Sequence, residues 1–186
     1  MKHFILAFAL LFISFSAAHA QRSGDVRSIG ALNGYSFGFT FLAKDVKGAS
    51  IYEAKGDIVV SGARFRLEIP HKMVVVSDGV TQWVYNCSNE EILISGSEFS
   101  QHIESSSSPS ELVEKMAGVF VGANKGYEKV VEKRDKGGNP VEVVLKWEKG
   151  SYVIRIVGEV VEKNTPPELF SLDIGKYPEA VVTDLR

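Results

Sequence analysis

The stretch "GYSFGFTF", Gly34 to Phe41, admits two incompatible readings. Its first five residues fit G-x-S-x-G, which in many hydrolases puts a serine on a sharp turn between a strand and a helix. With a period of two, the same residues form a strand. Tyr35, Phe37, Phe39 and Phe41 then share one side, and Ser36, Gly38 and Thr40 the other. A nucleophile elbow needs a strand before the serine and a helix after it. No strand pattern precedes Ser36, and the alternation continues through Phe41, so the strand reading prevails. Ser36, Asp57 and His71 do follow the order serine, acid, histidine, which keeps a secreted serine hydrolase as a remote alternative.

The same period extends along the chain. Tyr52, Ala54, Gly56, Ile58 and Val60 alternate with Glu53, Lys55 and Asp57. In "RFRLEI", Phe65, Leu67 and Ile69 stand opposite Arg64, Arg66 and Glu68, and Pro70 ends the run. "MVVVSDGVTQWVYN" carries Asp78-Gly79 between two β-rich runs, a strong hairpin signal, and "EEILIS" continues the meander. "YEKVVEKRD" reads as a surface or edge strand with solvated charges. A "KGGNP" turn leads to Val141, Val143, Leu145 and Trp147 in alternation with Glu142, Val144, Lys146 and Glu148, and Lys149-Gly150 turns the chain into "SYVIRIV". "ELFSLDI" and "AVVTDL" read as short strands around "GKYP". The expectation is a mainly β fold of eight or more antiparallel strands.

One segment breaks the period. In "SSSSPSELVEKMAGVF", Ser108 is placed as an N-cap, Pro109 at the first helical position, and Glu111 completes a capping box. Leu112, Met116, Val119 and Phe120 then share one helical face, which predicts a single amphipathic helix lying on the sheet.

The chain has 186 residues and a formal net charge of −2. Lys2, the apolar run "FILAFALLFISF" from Phe4 to Phe15 and "AHA" from Ala18 to Ala20 make residues 1–20 a secretory signal peptide cleaved after Ala20. The apolar run is shorter than the ~20 residues that cross a bilayer. Residues 21–186 are then a single domain, and loss of Lys2 takes its charge to −3. That charge recruits neither nucleic acid nor anionic lipid headgroups. Cys87 is the sole cysteine, so neither an intrachain disulfide nor a thiolate metal site can form. His71 and His102 lie far apart with no H-E-x-x-H spacing, and no glycine-rich phosphate loop opens a helix. No catalytic residue set, metal or cofactor is expected.

A twisted sheet with one face of Phe, Tyr, Ile and Val, overlaid by an amphipathic helix, either packs solid or leaves an apolar pocket. Here resemblance adds to the pattern. "YSFGFTF", "EAKGDIVVSGARFRLEI", "VVVSDGVTQWVYNCSNEEILIS", the proline-started helix and "ELFSLDIGKYPEAVVTDLR", in that order, resemble the periplasmic outer-membrane lipoprotein carrier family (LolA-like proteins) from about Tyr35 to Arg186.

The resemblance implies an incomplete, strongly curved antiparallel β-barrel, a half-barrel, covered by one or two helices. It also implies a periplasmic, monomeric carrier that binds the acyl chains of lipoproteins, or another lipid, without reaction. An inner-membrane lipoprotein-releasing transporter would be the donor and an outer-membrane protein the acceptor. The implied acyl cavity consists of Phe37, Phe39, Phe41, Ile58, Val60, Phe65, Leu67, Trp83 and Tyr85, with Leu112, Met116 and Phe120 on the lid. Where well-studied carriers have an arginine that holds the lid closed, this chain has Ser61-Gly62-Ala63, with Arg64 and Arg66 in phase with the polar face. A LolA-like module that binds lipid or protein in envelope regulation or assembly is the alternative from another class.

Overall fold

Alternating sequence becomes strand almost throughout the residues that the computed structural model describes, 33–97, 128–134, 136 and 140–186. A first meander contains β1 (Asn33–Lys44), β2 (Ser50–Ser61), β3 (Arg64–Ile69), β4 (Met73–Ser77), β5 (Thr81–Asn86) and β6 (Glu91–Gly96). A second contains β7 (Glu128–Arg134), β8 (Pro140–Trp147) and β9 (Gly150–Asn164), and β10 (Val181–Asp184) follows two short 3-10 turns. These ten described strands form one open, curled sheet in the order β10-β6-β5-β4-β3-β2-β1-β9-β8-β7. The expected helix with Leu112, Met116 and Phe120, and residues 1–20, lie outside the described residues.

The two meanders join along β1, which pairs antiparallel with β2 on one side and β9 on the other. In the first meander, Phe37 stands opposite Ile58, Ile58 opposite Leu67, Leu67 opposite Val75 and Val75 opposite Val84. A period of two then puts all of them on one side of the sheet. Gly56 makes room within this packing. A Cβ there would meet the Glu68 carbonyl oxygen, and the Phe39 ring at 3.0 Å.

The β4–β5 hairpin follows from its turn residues. Gly79 takes φ +101°, and the Asp78 Oδ1 accepts hydrogen bonds from the backbone N–H of Val80 (2.8 Å) and Thr81 (2.7 Å). Pro70 does end β3, and Pro140 sits at the first residue of β8, where a missing N–H costs least.

Two expectations fail after β9. "ELFSLDI" is not a strand, because Pro166 and Pro167 remove consecutive backbone donors and preset φ for a 3-10 turn over Pro167–Phe170. "AVVTDL" is a strand, but β10 runs parallel to β6, pairing Val181 with Glu91 through to Asp184 with Ile94. The chain reaches this edge by a long crossover over one face of the sheet rather than by a hairpin, so nothing forces it to reverse.

Candidate functional site

The two faces of the sheet are built differently. On one, Phe37, Phe39, Phe41, Ile58, Val60, Phe65 and Leu67 are all buried in one apolar cluster. Met73, Val75, Val84, Val143, Leu145 and Ile154 extend it, and among the described residues every buried member sits on a strand. Phe41 lies between two tyrosines at one end of this phenylalanine face. Its centroid is 6.2 Å from that of Tyr52, edge-on, and 5.3 Å from that of Tyr152, stacked. Burial pushes both phenols above the ordinary tyrosine value, so their hydroxyls stay protonated at neutral pH.

The opposite face is covered by the chain's own C-terminal part. Phe170 packs under the Arg64 guanidinium, whose Cζ lies 5.0 Å from the ring centroid. Leu172 is buried with Val74, Val76, Ile92 and Ile94, and Ile174, Tyr177 and Ala180 pack on the same cluster. Trp83 and Tyr85 belong to this second cluster. The sequence grouped them with the phenylalanines, but Val84 is the β5 residue that faces Phe37, Ile58 and Leu67, so its two neighbours point the other way. Seven of the nine cavity candidates thus come together, and two lie across the sheet.

Charge is arranged on this second side too. Glu142 on β8 is buried, on the side of the strand opposite Val143 and Leu145. Arg155 donates from Nε to its Oε2 across the β8–β9 pair, and Lys133 lies 3.5 Å from its Oε1. Burial pushes the carboxyl up, but the hydrogen bond and charge of Arg155, helped by Lys133, prevail and hold it below the ordinary glutamate value. The sequence's only hint was opposite charges on neighbouring strands.

The hydrolase constellation does not assemble. Ser36 faces Val59 and, one strand further, Val59 faces Arg66. His71 lies in the turn past Ile69, on the order of 15 Å further along the strand direction. Next to the Ser61-Gly62-Ala63 segment, Arg64 donates to the Ser61 Oγ at 3.4 Å and lies over the Phe170 ring, away from the phenylalanine face. Arg66 pairs with Glu68 at 3.1 Å. Burial pushes the half-buried Cys87 thiol up. Among the described residues, no group of three or more His, Cys, Asp or Glu is placed to hold a metal ion, and no helix is long and apolar enough to cross a membrane.

No family model matches the chain, and no curated protein does. Among solved structures, it is similar to the crystal structure of an uncharacterized conserved protein from Thermus thermophilus, with a TM-score of 0.44 and 14% identity over 83% of this chain and 91% of that one. A likeness this distant carries no argument about function.

Proposed function

We propose that the protein is a periplasmic carrier of the LolA-like kind, which shelters acyl chains of lipoproteins against the phenylalanine face and moves them between membranes without chemical reaction. The observation that supports this most is the asymmetry of the sheet. The face with Trp83 and Tyr85 is closed by the chain's own Phe170, Leu172 and Tyr177, whereas among the described residues the buried members of the phenylalanine cluster all come from strands. A curled sheet of this kind is half of a barrel, and an apolar half-barrel is a shelter if something movable completes it. The amphipathic segment with Leu112, Met116 and Phe120 has the composition for that role. Exposing an acyl chain to water costs about 0.8 kcal/mol per CH₂, so transfer across an aqueous compartment requires such a shelter.

Ser61-Gly62-Ala63 stands where the family's lid arginine would be, so on this reading closure would draw on the apolar side chains Leu112, Met116 and Phe120 rather than on an arginine. This makes the shelter easier to open and its hold on cargo weaker. Native mass spectrometry of the protein isolated from periplasm tests the reading. A co-purified acylated protein or lipid is expected. A bare protein that also fails to bind an apolar fluorophore such as N-phenyl-1-naphthylamine would overturn it.

A further inference from the structure

The phenylalanine face is not apolar throughout. Ser77 on β4 stands opposite Gln82 on β5, and Gln82 opposite Ser95 on β6, in phase with the apolar row Val75, Val84 and Leu93. Gln82 is only 3% exposed, yet its carboxamide has no hydrogen-bond partner among the described residues. Its neighbours are already engaged. The Ser77 hydroxyl bonds that of Ser97 at 2.6 Å and accepts from the Gly79 N–H at 3.1 Å, and the Ser95 Oγ donates to the Gly96 carbonyl at 3.2 Å. A buried carboxamide left without partners destabilises the fold, and an apolar residue of similar size would serve a plain core better. Donors held ready inside an apolar surface are instead what fixes the orientation of a bound amphiphile.

We propose that Gln82 is the polar subsite of the acyl-binding face. Its Nε2 donates to the carbonyl oxygen of the ester or amide that joins an acyl chain to its head. The hydrocarbon runs from there over Val84 and Val75 toward Leu67, Ile58 and Phe37, which follow in register across the sheet. The ligand class is therefore an acyl ester or acyl amide rather than a bare hydrocarbon or an alkyl ether. This rests on the acyl-carrier reading above and adds the recognition of the carbonyl to it.

The test is displacement of N-phenyl-1-naphthylamine by two ligands that differ only in that carbonyl, 1-dodecanoylglycerol and 1-O-dodecylglycerol. The wild-type protein is expected to bind the ester about fivefold more tightly than the ether, the range of one hydrogen bond. Gln82→Met, close in volume, should bring that ratio to about one, leave ether binding unchanged and resist denaturant at least as well as wild type. A purely structural glutamine would not give this combination. Equal binding of ester and ether by the wild type overturns the subsite while the carrier reading stands, and so does an ester preference that survives in Gln82→Met. Failure of the wild type to bind the fluorophore or either ligand overturns both. The wild-type ratio decides the matter even if the variant does not fold. A synthetic diacylglyceryl-cysteine peptide identifies the source of the carbonyl. Tighter displacement by it than by dodecanoylglycerol assigns the subsite to lipoprotein chains, and equal displacement to acylglycerols at large.

Discussion

The rings of Tyr85 on β5 and Tyr177 in the C-terminal crossover lie 4.1 Å apart between centroids, with 39° between their planes. This contact fastens the crossover midway between Phe170 and β10. Replacing Tyr177 with alanine removes the ring from a half-buried site. It should cost about 2 kcal/mol in urea denaturation, whereas Tyr177→Phe should be nearly neutral. Hydrogen exchange at Val181 to Asp184 should accelerate in the alanine variant. Unchanged exchange there would mean that β10 is held by its pairing with β6 alone.

Glu142 sets an acid limit on the second meander. Its folded-state pKa is lowered, so the stability it contributes is fully present above the ordinary glutamate value of 4.5 and is lost as pH falls through the lowered folded value. Glu142→Gln should destabilise the protein by about 1–3 kcal/mol at pH 7, since Arg155 and Lys133 keep partial access to water, and by much less at pH 3. Denaturant titrations at both pH values check this. An equal loss at both would exclude the ion pair as its source.

The hairpin depends on one carboxylate and one glycine. Asp78→Ala removes the acceptor of two turn hydrogen bonds and should cost about 1–2 kcal/mol. Gly79→Ala places a side chain at φ +101° and should cost at least about 1 kcal/mol. Thermal unfolding of both variants measures this. A Tm within a degree of wild type in both would show that the register is set by β4 and β5 themselves.

The carrier reading makes the phenylalanine face a binding surface. Leu67→Glu and Phe39→Glu should weaken binding of a fatty-acyl fluorophore more than about tenfold, with Val60→Asn as a milder change at the edge of the same cluster. Circular dichroism confirms which variants keep the β fold. Undiminished binding in every folded variant would leave the face as core and nothing more.

Ser36 offers the contrasting case. It is half-buried on the side away from Phe37, and Ser36→Ala should change stability by no more than about 0.5 kcal/mol and leave fluorophore binding intact. Loss of a measured esterase activity in this variant would restore the hydrolase alternative.

Legibility in the sequence differed by element, for physical reasons. β2 and β3 could be read because each buries mainly one side, β1 because its aromatic residues alternate with Ser36, Gly38 and Thr40 even though Thr40 and Leu42 are buried as well, and Asp78-Gly79 announced its hairpin through backbone chemistry local to those residues. β4 is buried at all five positions, so alternation lost its phase there. The phase is recovered by counting across the register from Leu67 to Val75 to Val84, which turns Trp83 and Tyr85 away from the phenylalanines. Gln82 could have been found by the same count, as a polar residue on an otherwise apolar row. The burial of Glu142 depends on its neighbours β7 and β9, and the parallel direction of β10 on a crossover set by tertiary packing, neither of which local sequence encodes.

The junction between β1 and β9 also dictates when the apolar face can exist. Phe39 and Phe41 meet Ile156 and Ile154, residues that follow them by more than a hundred positions. Such distant pairing is slow to form, because the entropy of closing the long loop is lost before any contact rewards it. The first meander can therefore assemble early with its phenylalanines still open to one side. The phenylalanine face is complete only once β9 has docked on β1, so its closing contacts wait for a strand that is synthesised more than a hundred residues after the phenylalanines.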